Sequence, residues 1–301
     1  MGKLLAELGS AENRASDSAA AEHLTRALEL ITDPRARGEI GQELGLALTM
    51  AGRLGDAIKT LERLIPEVAP VDRELELRLE AELINAARMD VNLRPVVSER
   101  LAAFRTQVAG EGPAERVLVA NLAYDATIRG APAAAVAELA QRALGDCALL
   151  AEETSESPTY YLAVWPLALA ERLMEATNEL DAALEHARAG GSALGFGTAS
   201  CIRSNVLYRR GLIVEAEADA RNALRAASEG GFEGALPLAV GFLIDALIER
   251  GQIAAAADVL VASGLEGELP DLILFNPLLD SRGRLRLLRG EPAKKSSGAG
   301  K

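Results

Sequence analysis

What most restricts the fold of this chain is a frame that recurs about every forty residues. It consists of a turn position, a small residue five places later and an apolar residue nine places later. It is plainest at Gly52, Ala57 and Leu61, and returns at Gly130, Ala135 and Leu139, at Gly211, Ala216 and Ala220, and at Gly251, Ala256 and Leu260. Glu171 holds the turn place in a further copy, followed by Ala176 and Leu180. From residue 130 onward the turns are 41, 40 and 40 residues apart; the step of 78 from Gly52 to Gly130 leaves room for a degenerate copy turning near Asn92, with Val97 and Leu101. Self-similarity at a fixed period of this length marks a stacked repeat architecture.

The stretch Leu44 to Ile65 shows what one copy is. Leu44, Leu46 and Leu48 belong to a first helix that ends at Gly52, where glycine takes the left-handed conformation without a steric penalty. Leu54, Ala57, Ile58, Leu61, Leu64 and Ile65 then recur at three- and four-residue spacing, the single apolar stripe of a second helix. Small residues at Gly45 and Ala57 let the two backbones come close. A helix pair cannot bury its stripe alone, so consecutive pairs must stack. Leu8-Gly9 repeats Leu44-Gly45, with a turn near Ser16 and a second helix over Ala19 to Ile31, and Gly283 and Gly290 repeat Gly45 and Gly52. After Gly290 the chain reads small, basic and without apolar period, which predicts a disordered tail over 291–301 and leaves the helix from Asn276 to Leu288 without its partner. Asp33-Pro34, Gly112-Pro113 and Ser157-Pro158 open helices, and Gly190-Gly191 and Gly230-Gly231 close them. The prediction is an all-α chain: a right-handed superhelix of about seven hairpins plus a terminal half repeat, over residues 1–290.

Composition narrows the functions. Almost half of the chain is hydrophobic, 49%, yet only 3% is aromatic, the balance of stacked Ala- and Leu-rich helices rather than of sheets. A net charge of −12 argues against direct nucleic-acid binding, which needs clustered Lys and Arg. Cys147 and Cys201 make no disulfide framework and no metal spacing, pointing to a reducing cytoplasm and to small buried hydrophobes. Met1 to Glu7 is too short an apolar run for a secretory signal, and Ala6 stands where N-myristoylation wants Ser or Thr. No apolar segment reaches the about 18 residues of a membrane span.

The frame of Leu44, Gly45, Gly52, Ala57 and Leu61 resembles the tetratricopeptide repeat, with a period longer than that repeat's usual 34. The longer unit resembles the repeat arm of MalT-like regulators, the large ATP-binding members of the LuxR family. Ala21 to Leu28, Leu149 to Tyr160, Asp245 to Gly251 and Glu268 to Asp271 have that look. In that family the arm lies between an ATPase module and a helix-turn-helix, so the resemblance implies a sensing or protein-interaction arm of a transcription regulator. This chain has neither a GxxxxGK[ST] loop nor a DNA-reading helix, so neither activity carries over.

Catalytic motifs are absent by the same reading. His23 and His186 sit in different copies without a His, Cys or Asp partner at ligand spacing, and read as helix-surface residues. Gly195-Phe-Gly197 lacks the third glycine and preceding strand of a dinucleotide fingerprint. No nucleophile–base pair, metal set, phosphate loop or cofactor site is expected. One constellation stands out. Six residues before each turn, a place that faces the concave side in tetratricopeptide arrays, come Leu46, Ala86, Tyr124, Trp165, Asn205, Asp245 and Arg284, with Tyr161 and Tyr208 about one turn away. Aromatics beside donors and acceptors suit a groove for a peptide or small effector, whereas the same rings could equally fill gaps between helices. Expected partners are a protein or peptide, or a small ligand, with no membrane; a freestanding scaffold docking a partner's peptide is the rival to the regulator arm. Self-association through the unpaired last helix is a further expectation.

Overall fold

In the computed structural model, residues 1–14, 17, 19–230, 235–270 and 272–291 are described. Among these the chain is helical throughout, without a β-strand, and no helix is long and apolar enough to cross a membrane. Contacts divide it into two compact units, Met1–Glu152 and Glu153–Lys301. The expected turn near Ser16, Gly231 and the tail from residue 292 lie outside the described residues.

In the first unit, α1 (Gly2–Arg14) packs on α2 (Ala20–Leu30), α3 (Pro34–Met50) on α4 (Leu54–Val68), α5 (Arg73–Arg88) on α6 (Arg94–Phe104) and α7 (Pro113–Ile128) on α8 (Ala133–Leu144). The first helices of consecutive pairs also touch, α3 with α5 and α5 with α7. A short helix, α9 (Ala148–Glu153), follows. Capping follows the sequence: the Asp33 carboxylate accepts from the Ala36 amide at 2.9 Å with Pro34 in the first turn, and Asp72 accepts from Leu75 at 3.0 Å. Gly45 is a close approach as expected, since a Cβ there would stand 3.0 Å from Leu61 Cδ1, and Gly9 meets Leu24 in the same way.

In the second unit, α10 (Pro158–Leu169) packs on α11 (Leu173–Gly190), α12 (Ala193–Arg209) on α13 (Ile213–Gly230) and α14 (Leu236–Glu249) on both α15 (Ile253–Ala262) and α16 (Asn276–Leu288). Ser192 caps α12 by accepting from the Gly195 amide at 2.9 Å. Gly195 and Gly197 are buried inside α12, where a Cβ would collide with Ser155 Oγ at 2.5 Å and Ala226 Cβ at 2.7 Å. They serve packing.

One motif closes six of the first helices, and Gly191 at the end of α11 repeats it. At Gly52, Gly130, Glu171, Gly211, Gly251 and Gly290, φ lies between 60° and 77°. At each, the turn residue's amide bonds the carbonyl three back and the next amide bonds the carbonyl five back, as in Gly52 to Thr49 at 3.0 Å and Arg53 to Leu48 at 2.8 Å. This is the Schellman arrangement, which satisfies the orphan carbonyls of a helix end. Glu171 adopts it without being glycine, at φ 60°.

Three expectations shift. In the copy after Gly130, Ala135 is exposed, and the buried places are Val136 and Ala140. Pro132 occupies the N-cap, one residue further from the turn than Arg53 after Gly52, so α8 starts a residue later and its stripe slides with it. In the degenerate copy a short 3₁₀ turn over Val91–Leu93 replaces the glycine joint, and Ala86 is fully buried. Cys147 is exposed rather than a small core residue, because the left-handed run Gly145, Asp146, Cys147 between α8 and α9 turns it outward; Cys201 is buried.

The last first-helix differs from its predecessors. Eleven residues before the turn, Val119, Tyr160, Ser200 and Val240 are all fully buried, whereas Leu279 is 49% exposed. Leu287 is 79% exposed, and a Cβ on Gly283, the counterpart of Gly45, would meet nothing within 4 Å. Among the described residues no second helix follows α16 to cover this face.

Candidate functional site

On the second unit, side chains from successive first helices meet. Arg284 of α16 donates through Nη1 to Asp245 Oδ1 at 2.5 Å and to the Tyr208 hydroxyl at 3.1 Å, and through Nη2 to Glu249 Oε1 at 2.7 Å. The Tyr208 hydroxyl itself donates to Glu249 Oε1 at 3.0 Å. One guanidinium thereby ties α12, α14 and α16, its planar fork shared between two carboxylates and a phenol. Burial lifts the Asp245 carboxyl above its ordinary value despite the pull of Arg284, whereas hydrogen bonds from Arg284 and Tyr208 hold Glu249 below its own. Burial opposes the charge on Arg284, but Glu249, Tyr208 and Asp245 more than offset it, and its pKa is raised. Burial also raises that of the Tyr208 phenol.

The remaining expected residues separate. Half-buried Trp165 stacks on Phe242 of α14, centroids 5.9 Å apart and planes 24° from parallel. Asn205 accepts from Arg209 Nε at 3.3 Å, and Arg209 reaches Glu171 at 3.5 Å. Tyr161 does not share an open face with them. It is 6% exposed and its hydroxyl donates to the Ser155 carbonyl at 2.7 Å, because the residue lies on the buried side of α10. The stripe in this unit is thus a ring pair, Trp165 and Phe242, and an ionic group built from Tyr208, Asp245, Glu249 and Arg284. Chemically it offers an aromatic face and a hydrogen-bonded cluster with one more carboxylate than guanidinium.

Tyr124 belongs to the first unit. The Arg88 guanidinium lies 4.8 Å from its ring centroid, a cation–π contact. Arg88 donates to Asn121 Oδ1 at 2.5 Å and to Asn85 Oδ1 at 3.2 Å, and Asn121 is itself held by donation to the Val117 carbonyl at 2.9 Å. Burial pushes Arg88 down to about 10, against the opposing effects of Tyr124 and Asp125. Burial raises the Tyr124 phenol, against Arg88 and Arg94. Leu46 is 40% exposed. In the degenerate copy Ala86 is buried and Asn85, one residue before it, is the partly exposed residue.

Arg88, Asn85, Phe242 and Glu249 were not singled out from sequence. Phe242 and Glu249 carried a signal, three residues before and four after Asp245, which is the same helical face. Arg88 carried none, because the degenerate copy lacks the glycine that fixes the frame. Both histidines are engaged locally, His23 Nδ1 with Glu12 Oε2 at 2.6 Å and His186 Nδ1 with Ser155 Oγ at 3.1 Å. Among the described residues no group of three or more His, Cys, Asp or Glu side chains is placed to hold a metal ion. No protein-family model matches the chain, and no curated protein matches it.

Proposed function

We propose that this chain is a non-catalytic binding module of a reducing cytoplasm, a right-handed tetratricopeptide-like solenoid. Its first helices line an inner wall that takes a protein or peptide partner, in the manner of the sensor arm that MalT-like regulators carry. The observation that carries the reading is the recurrence of one Schellman joint at the ends of six first helices. Identical joints set the residue six before each turn at the same place on successive first helices, which turns a sequence stripe into a surface. Trp165 with Phe242, and Tyr208 with Asp245 and Arg284, supply the mixture of ring and charge that interface anchors use.

Affinity capture with quantitative mass spectrometry tests it, comparing the wild-type chain with Trp165→Ala/Asn205→Ala and with Glu185→Ala on the exposed side of α11. A partner lost only with the inner-wall variant supports the reading. If the Trp165→Ala/Asn205→Ala variant leaves every partner bound and only lowers stability, by the ~3–5 kcal/mol of a core aromatic, the ring is packing and the wall is not a site.

A further inference from the structure

We propose that the first unit carries a carboxylate-binding site centred on the Arg88 guanidinium, backed by Tyr124 and held in plane by Asn85 and Asn121. The inference rests on reading first-helix faces as binding surfaces, and extends that reading to a ligand class. Most well-placed arginines of this acidic chain already hold a carboxylate: Arg37 holds Glu67, Arg100 holds Glu80, Arg116 holds Glu152, Arg203 holds Asp219 and Arg250 holds Glu217. Arg88 differs. Among the described residues its hydrogen-bond partners are two neutral amide oxygens, and no carboxylate stands within ion-pair distance. A half-buried cation with neutral partners bears a desolvation penalty that an incoming anion relieves.

The surroundings are cationic. Arg94 lies near enough to act on Tyr124, and the carboxylate whose field reaches Arg88, Asp125, is already claimed. Its Oδ2 lies 3.2 Å from Arg129 and 3.6 Å from Arg105, and its Oδ1 accepts from Ser98 at 3.1 Å. Arg94, Arg105 and Arg129 are all exposed around it. The planar fork of Arg88, pinned by two amides and stacked on a ring, is preorganised for a planar two-oxygen acceptor. A singly charged carboxylate fits better than a polyanion, which a chain of net charge −12 repels at long range. On the flanking first helices Leu46, six residues before its turn, and Met50 and Ile128, two before theirs, are exposed, apolar contacts for residues beside a peptide's acid.

The test is arginine Nε–Hε NMR of the full chain, titrated with sodium acetate, with a capped peptide Ala-Ala-Glu-Leu-Ala and with inorganic phosphate, all against matched sodium chloride. The Arg88 signal is assigned by its loss in Arg88→Lys. Acetate is expected to shift it saturably with a Kd of about 1–10 mM, the scale of a single ion pair. A peptide bound at least about tenfold tighter assigns the carboxylate to an acidic peptide, and equal binding assigns it to free small acids; both support the site. In Arg88→Lys, which keeps the charge and loses the fork, the Asn85 and Asn121 side-chain amides are expected to respond at least about fivefold more weakly. No saturable shift beyond chloride, undiminished binding in Arg88→Lys, or phosphate bound more tightly than acetate overturns the proposal. The readout comes from the first unit alone and needs no protein partner. Its failure therefore leaves the capture experiment undecided, and the reverse also holds.

Discussion

Of the six Schellman joints that close first helices, Glu171 alone is not glycine, and this gives a signed prediction for a reciprocal pair of substitutions. Holding an L-residue at φ 60° costs about 1–2 kcal/mol, which Glu171→Gly removes. Against this, glycine loses about 0.5–1 kcal/mol more on folding because its unfolded chain is freer. The exposed contact of Glu171 with Arg209, at 3.5 Å and with the glutamate side chain 71% accessible, adds at most a few tenths of a kcal/mol. The net expectation is a gain of about 0.5 kcal/mol. Gly251→Ala runs the other way. A Cβ there meets nothing within 4 Å, so only backbone strain acts, and the expected loss is about 0.5–1 kcal/mol. Both positions lie in the second unit, as does the chain's single tryptophan, Trp165, so fluorescence-detected urea unfolding reports on the unit that both substitutions alter. The two variants should differ by about 1–1.5 kcal/mol, roughly 2–6 °C in midpoint temperature for a unit of this size. A Glu171→Gly variant less stable than wild type, or a silent Gly251→Ala, would refute the equivalence of the joints.

Three further outcomes are expected. Gly241→Ala puts a Cβ 2.9 Å from the Leu278 amide nitrogen and 3.1 Å from the Pro277 carbonyl carbon, backbone that is unable to yield cheaply, so thermal melts should show a loss of about 1–3 kcal/mol; Gly283→Ala, facing open space within α16, should gain about 0.5–1 kcal/mol. A chromogenic disulfide reagent at mildly alkaline pH should titrate Cys147 in the folded chain and reach Cys201 only on unfolding, since burial pushes that thiol up to about 12. Burial opposes the charge on Glu217, but hydrogen bonds from Arg221 and Arg250 hold its pKa below the ordinary 4.5, so its stabilisation is complete above that value and fades as pH falls through the folded one. The stability gap between wild type and Glu217→Gln should therefore shrink from about pH 6 to about pH 3.

The repeat was legible because its joint needs a left-handed residue and its close contacts need small ones, and both demands show in residue identity at Gly52, Ala57, Gly211 and Ala216. Period alone placed Glu171, where identity gave no help. The frame failed where local backbone chemistry inserted or removed a residue, at Pro132 and at the 3₁₀ turn before α6. A slip of one residue rotates a helix by about 100°, enough to put Val136 in place of Ala135 at the buried contact and Asn85 in place of Ala86 at the partly exposed one. Of the residues set out as a groove, Tyr208, Asp245 and Arg284 came together because a fixed period aligns α12, α14 and α16. Tyr161 was misplaced because its neighbour Trp165 lies four residues on, and sequence does not show which side of α10 is covered. The Arg88 group was out of reach, since it depends on two asparagines and a ring from different helices of an irregular copy.

The sameness of the joints also makes this molecule editable in whole modules. Cutting after Gly211 and resuming at Gln252 would join two ends that already share one backbone conformation and one pair of hydrogen bonds, so α13 and α14 could be excised as a cassette, or inserted twice, without designing a new linker. Each such edit would step Arg284 relative to Tyr208 by one rung. Length and partner choice would then be tunable on the same scaffold, one forty-residue block at a time.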